Sequence, residues 1–548
     1  MSGVPSLVGL CAAVAATVLL TAVAPGSWQP WVQLAAAAVI AAVVTARRRG
    51  RPLLSRDPAP RRASVDVVDL IAPDRSAVGC VEGDRIVTTA VEVSAGAFVT
   101  TVVGRDDPAD HRGARIPLAA IARQLDQGGV VLEGIDVVVR GRRAAPGDDG
   151  EVYSRLVGPL SLVSHRRVHL LLRFDLARLT LHAPDGADSP VSEVVAVATE
   201  RLRRALVHHG MPCRVLDAAE LADYFLEAEA SAETPAGDGI GLVVRPAGRP
   251  RAVVDRLTSV RAAELTEVVR LRRVEGRADV VDAVTSVGLT GTGPADPRAT
   301  TGADDALAEL SSAVHPLPGP GVLPVPGETM PTTVTGCLDR IPVALLDGAA
   351  PPAHGAGQIL GATRDGGAAA IQLAGPHLRS VLLTARADVC RQVAFRAVAA
   401  GYRVAVVTDV PDRWRPVLRI GDESRYRIVD PASSDAGAPV DAVIWDVDGP
   451  LSEARIDALA GPGGPDVTPP TVIRVDADWE LRGGRGLRAV SPPDLVLDGR
   501  IDGWISVEPR TGDAFRVTVV TGPGEEPFVR SAPLTPAGAG PSATPGHP

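Results

Sequence analysis

Residues 443–451 read VIWDVDGPL, which sets two carboxylates, Asp446 and Asp448, two residues apart at the end of an apolar run. That spacing suits phosphate chemistry. With Asp446 as nucleophile and Asp448 as general acid, a phosphoester could be opened. Asp446 at the tip of a buried strand is also where a nucleotide's magnesium ion is held. A third reading asks for no chemistry: a buried strand ends at Asp446, and Asp448-Gly449-Pro450 is the turn after it.

Each chemistry makes a demand on the rest of the chain. The motif resembles that of haloacid-dehalogenase-type phosphatases, which use a lysine to neutralise the substrate phosphate and the nucleophile. This chain has no lysine; all 56 basic residues are arginine. A dry site without that cation loses several kcal/mol of charge stabilisation. The motif normally opens its fold, whereas here it stands near the C-terminal end.

The nucleotide reading needs a phosphate-wrapping loop. Residues 359–399 resemble ATPase modules of the FtsK type, which would put the loop at TARADVCRQ, residues 384–392. That stretch has neither glycine nor lysine. The backbone then lacks the φ > 0 freedom that close approach to a phosphate requires. Arg386 and Arg391 are the only cations there, and a planar guanidinium is a poor substitute for a lysine. A dinucleotide fingerprint at residues 354–361, HGAGQILG, is one residue too long and follows two prolines rather than a buried strand. The strand-and-turn reading of Asp446 is therefore preferred, with no catalytic, cofactor or metal-binding residues expected.

The remaining candidates are thin. His165 and His169 lack the third ligand that a zinc centre needs. His208-His209 ends a predicted helix, where positive charge suits the macrodipole. Arg166, Arg167 and Arg173 form either a docking patch or, preferably, a solvated strand face. The five cysteines (11, 80, 213, 337 and 390) are scattered, as expected of reduced structural thiols.

The elements that must position these residues divide the chain. From residue 337 strands and helices alternate: strands at 380–384, 403–408, 426–429 and 442–445, and a helix over 388–400 stopped by Gly401. Alternation of that kind predicts a parallel α/β sheet. Residues 63–275 read as α+β. They hold a hairpin at 77–93, a helix over 117–127 and strands at 130–140 and 168–174. A helix follows with Ser189 as its N-cap and Pro190 at its first position, Val194, Val197, Leu202, Ala205 and Leu206 on its core side and Gly210 as its stop; a further helix is expected over 260–270. Residues 276–336 are expected to be a Gly/Pro-rich linker and 531–548 a disordered tail.

The N-terminal end is different in kind. Residues 4–24 and 28–46 are almost wholly apolar, about 31 Å and about 28 Å long as helices. Trp28 and Trp31 stand at an expected interface, and an arginine cluster follows at 47–51. The expectation is a transmembrane hairpin over 1–50 and a basic juxtamembrane linker over 51–62, with both termini on the cytoplasmic side. A hydrophobic content of 45% supports real cores, and a net charge of -9 argues against nucleic acid as a partner.

Four segments carry a family resemblance: SAVGCVEGDRIVTTAVEV from residue 76, LDQGGVVLEGIDVVVRG from 125, RRVHLLLRF from 166, and VSEVVAVATERLRRALVHHGMPCRVLDAAEL from 191. In wording and order they resemble the EccE family, membrane component E of the actinobacterial type VII (ESX) secretion system. The resemblance implies a two-pass subunit of the inner-membrane complex, with EccB, the ATPase EccC and EccD as partners and no catalytic residues. The expected fold class is two N-terminal transmembrane helices, a cytosolic α+β domain, and a C-terminal α/β domain over 337–530, Rossmann-like or degenerate P-loop-like. The expected function is that of a structural translocon subunit. The alternative is a membrane-tethered enzyme acting on a phosphate or nucleotide substrate through Asp446 and Asp448.

Overall fold

A computed structural model describes residues 47–48, 51–52, 67–103 apart from 84 and 95–99, 115–182 apart from 159 and 161, 191–233, 240–244, 262–290, 314–316, 338–448 apart from 421 and 434–437, 453–460, 469–477 and 492–530. Its strands run, in chain order, β1 (Val67–Ile71), β2 (Ala77–Glu82), β3 (Ile86–Val93), β4 (Thr100–Val103), β5 (Gly134–Arg142), β6 (His165–Asp175), β7 (Cys213–Val215), β8 (Ile240–Val244), β9 (Glu264–Val274), β10 (Arg277–Thr290), β11 (Val314–Pro316) and β12 (Asp339–Pro342). There follow β13 (Gln358–Ala362), β14 (Ala368–Ile371), β15 (Ser380–Ala385), β16 (Val404–Thr408), β17 (Tyr426–Val429), β18 (Ala442–Asp446), β19 (Thr471–Asp476), β20 (Leu495–Gly499), β21 (Trp504–Pro509) and β22 (Phe515–Thr518).

Two eleven-stranded sheets hold all of these strands. The first is antiparallel, in the order β11-β8-β10-β9-β5-β6-β3-β2-β1, with β12 added to β10 and β7 to β3. Its helices are α1 (Leu118–Arg123), α3 (Leu176–His182), α4 (Val191–His208) and α5 (Ala218–Glu233), while α2 (Asp148–Val157), between β5 and β6 in the chain, packs on the second sheet. Helical spacing on α4 puts Val195, Ala198, Leu202 and Leu206 into one core with Val168, Leu170 and Leu172 of β6. Gly210 stops that helix at φ 75, a conformation that suits a residue without Cβ.

The second sheet has the order β17-β16-β18-β19-β15-β20-β21-β22-β13-β14-β4. The six strands from β17 to β20 run parallel. From β20 onward the pairing is antiparallel. Helix α6 (Ala387–Ala400) is buried along nearly its whole length, because side chains such as Val393, Phe395, Ala397 and Val398 join the core of this sheet. Two short helices, α7 (Glu453–Ala460) and α8 (Glu526–Val529), follow later in the chain.

The expected fold class needs correction. The described residues are mostly β, in two large sheets, and among them no helix is long and apolar enough to cross a membrane. The apolar runs 4–24 and 28–46, on which the hairpin reading rests, lie outside the described residues. The C-terminal region is not a Rossmann-like or P-loop-like α/β layer. Its parallel strands are half of a mixed sheet, because beyond β20 the chain returns by short hairpins instead of helical crossovers. Of the helix expected over 260–270, residues 264–270 are part of β9, paired on both sides with β5 and β10. Two-sided burial of Val268, Val269 and Leu271 selects the strand there. Within 276–336, Arg277–Thr290 is strand β10.

The two sheets share chain segments. β4 leaves the first region and pairs with β14, and Val103 on it is fully buried. Tyr153 and Val157 of α2 also belong to the core of the second sheet. The Tyr153 hydroxyl accepts a bond from the Ile359 amide at 2.8 Å. Arg425 grips Asp149 with two bonds, at 2.9 and 3.0 Å. Gly355 lies so close to Ser164 that a Cβ would meet its carbonyl oxygen at 2.3 Å.

Candidate functional site

Asp446 is the last residue of β18, and β18 lies between β16 and β19. The run AVIWD forms a strand because all five of its side chains are buried in a sheet of parallel neighbours. Register puts Thr408, the last residue of β16, directly beside Asp446. The chain leaving β16 makes two 3-10 turns, Pro411–Arg413 and Arg415–Ile420. These bring Arg413 and Trp414 over the end of β18.

The carboxylate is held on both oxygens. Arg413 Nη1 donates to Oδ1 at 2.7 Å. Thr408 Oγ1 donates to Oδ2 at 3.0 Å and Trp414 Nε1 to the same oxygen at 2.6 Å. Asp446 is 6% exposed and Trp414 is fully buried. Burial lifts the Asp446 carboxyl above the ordinary aspartate value, against the opposing pull of Trp414, Arg413 and Thr408. A nucleophile or a magnesium ligand needs an oxygen lone pair directed at its target. Here an indole, a hydroxyl and a guanidinium take three of the about four such directions. Asp448, two residues on, is exposed.

At the expected phosphate-binding position, a single residue, Arg386, joins β15 to α6. One residue cannot wrap a phosphate. Arg386 is engaged with Asp388 at 3.1 Å and Asp502 at 3.3 Å. Arg391 is buried and donates to the carbonyls of Val529 and Arg413. The glycines of residues 354–361 serve close backbone packing: Gly357, at φ 82, leaves no room for a Cβ beside the Ile371 carbonyl, and Gly361 likewise abuts Thr518.

The other candidates are dispersed. His165 packs edge-on against Tyr402 at 5.4 Å, and His169 lies against Tyr224 at 4.6 Å. Burial pushes both imidazoles down to about 4. Among the described residues, no group of three or more His, Cys, Asp or Glu could hold a metal ion. His208 and His209 are exposed at the end of α4. Arg166 does not share a surface with Arg167 and Arg173, since strand alternation sends it to the opposite face. Arg173 is buried against Asp136 at 3.3 Å, and Arg270 approaches the same carboxylate at 3.6 Å. Cys80, Cys213 and Cys390 are free thiols.

Sequence reasoning missed the partners of Asp446. Thr408, Arg413 and Trp414 lie 38, 33 and 32 residues before it. A buried tryptophan beside an arginine, after a strand ending in threonine, was the available signal. A second buried node was also missed. Arg396, in the middle of α6, meets Glu525 through Nε at 2.6 Å and Nη2 at 3.0 Å, with side chains only 2% and 1% exposed.

Nothing in this geometry leaves a carboxylate poised for phosphate chemistry at Asp446. Comparison with known proteins points elsewhere in the chain. No curated protein matches it. Residues 162–237 match the family model described as "Putative type VII ESX secretion system translocon, EccE". That stretch holds β6, α3, α4, β7 and α5, with α4 and α5 packed on opposite faces of the first sheet. Over these residues the chain is similar to the EccE family.

Proposed function

We propose that this protein is a structural component of a type VII secretion translocon at the membrane. It would work by holding its neighbours in place rather than by catalysis. The observation that carries this reading is the EccE match over residues 162–237. The occupied carboxylate of Asp446 supports it, because the carboxylate on which the enzyme alternative rests is engaged by side chains of the same chain. The other membrane components EccB, the ATPase EccC and EccD are the proposed partners, contacted through the two sheets. No catalytic, cofactor or metal-binding residues are assigned.

The test is purification from its native membrane in mild detergent, with identification of what accompanies it. The expected result is a large assembly containing the other secretion components. A monomer that elutes without them would overturn the reading.

A further inference from the structure

The last described segment of the chain, residues 519–530, lies across α6 and the turn Arg415–Ile420. Its attachments are mainly polar. Glu525 is 1% exposed and accepts from Arg396, from Gln392 at 3.1 Å and from the Gly522 amide at 2.8 Å. Arg396 Nη2 also donates to the Val520 carbonyl. Arg391 holds the Val529 carbonyl and Arg419 the Pro527 carbonyl. Apolar contact is modest: Val529 is buried, and half-buried Phe528 stacks on Phe395 at 4.6 Å.

This attachment connects directly to Asp446. Arg391 holds the carbonyls of Val529 and Arg413 with one guanidinium. The same Arg413 caps Asp446, and its neighbour Trp414 does too. The turn 415–420 is pressed between α8 and α6. Residues 411–420, which supply both caps, therefore rest on the C-terminal segment from outside. A buried ion pair fixes register strongly while adding little net stability, because desolvation offsets most of its Coulomb gain. When the whole segment leaves, both charges regain water, so the pair itself resists release less than apolar burial of the same area would.

We propose that residues 519–530 form a detachable strap. Seated, it holds Arg413 and Trp414 on Asp446. Released, it lets the turns 411–420 lift and opens the carboxyl ends of β16 and β18. The device is a conformational switch built into the second sheet.

Hydrogen exchange on the full chain in mild detergent tests this, with wild type, Glu525→Gln and Phe528→Ala compared. In wild type, amides of 519–530 and 411–420 should exchange at least ~10-fold faster than those of β18, as expected of local opening. Each variant should speed exchange in those two segments alone, Phe528→Ala by roughly another 10-fold and Glu525→Gln by at least as much, and leave β18 and β3 unchanged. Exchange of the strap and β18 in one cooperative step in wild type would overturn the proposal. So would a variant that accelerates β18 and β3 as much as the strap. If Glu525→Gln does not fold, wild type and Phe528→Ala still decide.

Discussion

Arg413 donates to Asp446 at 2.7 Å across 33 residues of chain, with side chains only 13% and 6% exposed. A cation from the same chain thus stands where a reactive carboxylate would need substrate or metal. The pair ties the end of β18 to the turns after β16, and its role is to close that end of the sheet.

Breaking the pair from either side should destabilise the fold. Asp446→Asn keeps the shape but removes the charge, and should cost about 1–3 kcal/mol in chemical denaturation. Arg413→Gln leaves a buried carboxylate short of its cation, and should cost at least as much. A neutral result for both would mean that the node contributes nothing to stability.

The same geometry predicts silence toward nucleotides. Magnesium-ATP and phosphate analogues should leave the thermal midpoint of the full chain unchanged. A clear upward shift that vanishes in Asp446→Asn would restore the enzyme reading.

His169 sets a pH dependence. Glu92 favours its charged form, while Arg167, Arg140, Arg214 and above all burial oppose it, so the imidazole sits at about 4 in the fold. The unfolded chain takes up the proton first. The stabilisation is complete above an unfolded value of roughly 6.5 and is lost as pH falls from there toward 4. For a side chain 7% exposed it amounts to roughly 3 kcal/mol. Stability measured between pH 7 and 4 should fall less steeply in His169→Gln than in wild type; parallel curves would refute this.

The Arg396–Glu525 pair should behave as a unit. Either single change, Arg396→Met or Glu525→Leu, strands a buried charge and should cost roughly 3–5 kcal/mol. The double change should be less damaging than the sum of the two. Simple additivity in a double-mutant cycle would show that the two side chains are not coupled.

Val103, on β4, is fully buried in the second sheet although it precedes the first sheet's β5. Val103→Asp should loosen the second sheet first. Limited proteolysis should then cut within residues 338–530 sooner than in wild type. Cleavage confined to the first sheet would contradict the shared-strand arrangement.

The sequence by itself determined what is local. Residues 77–93 read as a hairpin and form one, because a turn separates two runs rich in β-branched residues. The stops at Gly210 and Gly401 were legible because each is a glycine that follows an apolar stripe and takes a positive φ. The absence of lysine, and of glycine at 384–392, already weakened the phosphate readings. The apolar run ending at Asp446 read as a buried strand for the same local reason.

Tertiary structure decided what depends on neighbours. Residues 260–270 look helical in isolation, yet 264–270 belong to a strand paired on both edges with β5 and β10. The antiparallel half of the second sheet, and β4 within it, arise from pairings between residues far apart in sequence, which no local period encodes. The fate of Asp446 was settled in the same way. Its type and spacing allowed chemistry, but Thr408, Arg413 and Trp414 converge on it only once β16 lies beside β18. A carboxylate's role follows from the donors around it, and those donors are brought there by the fold.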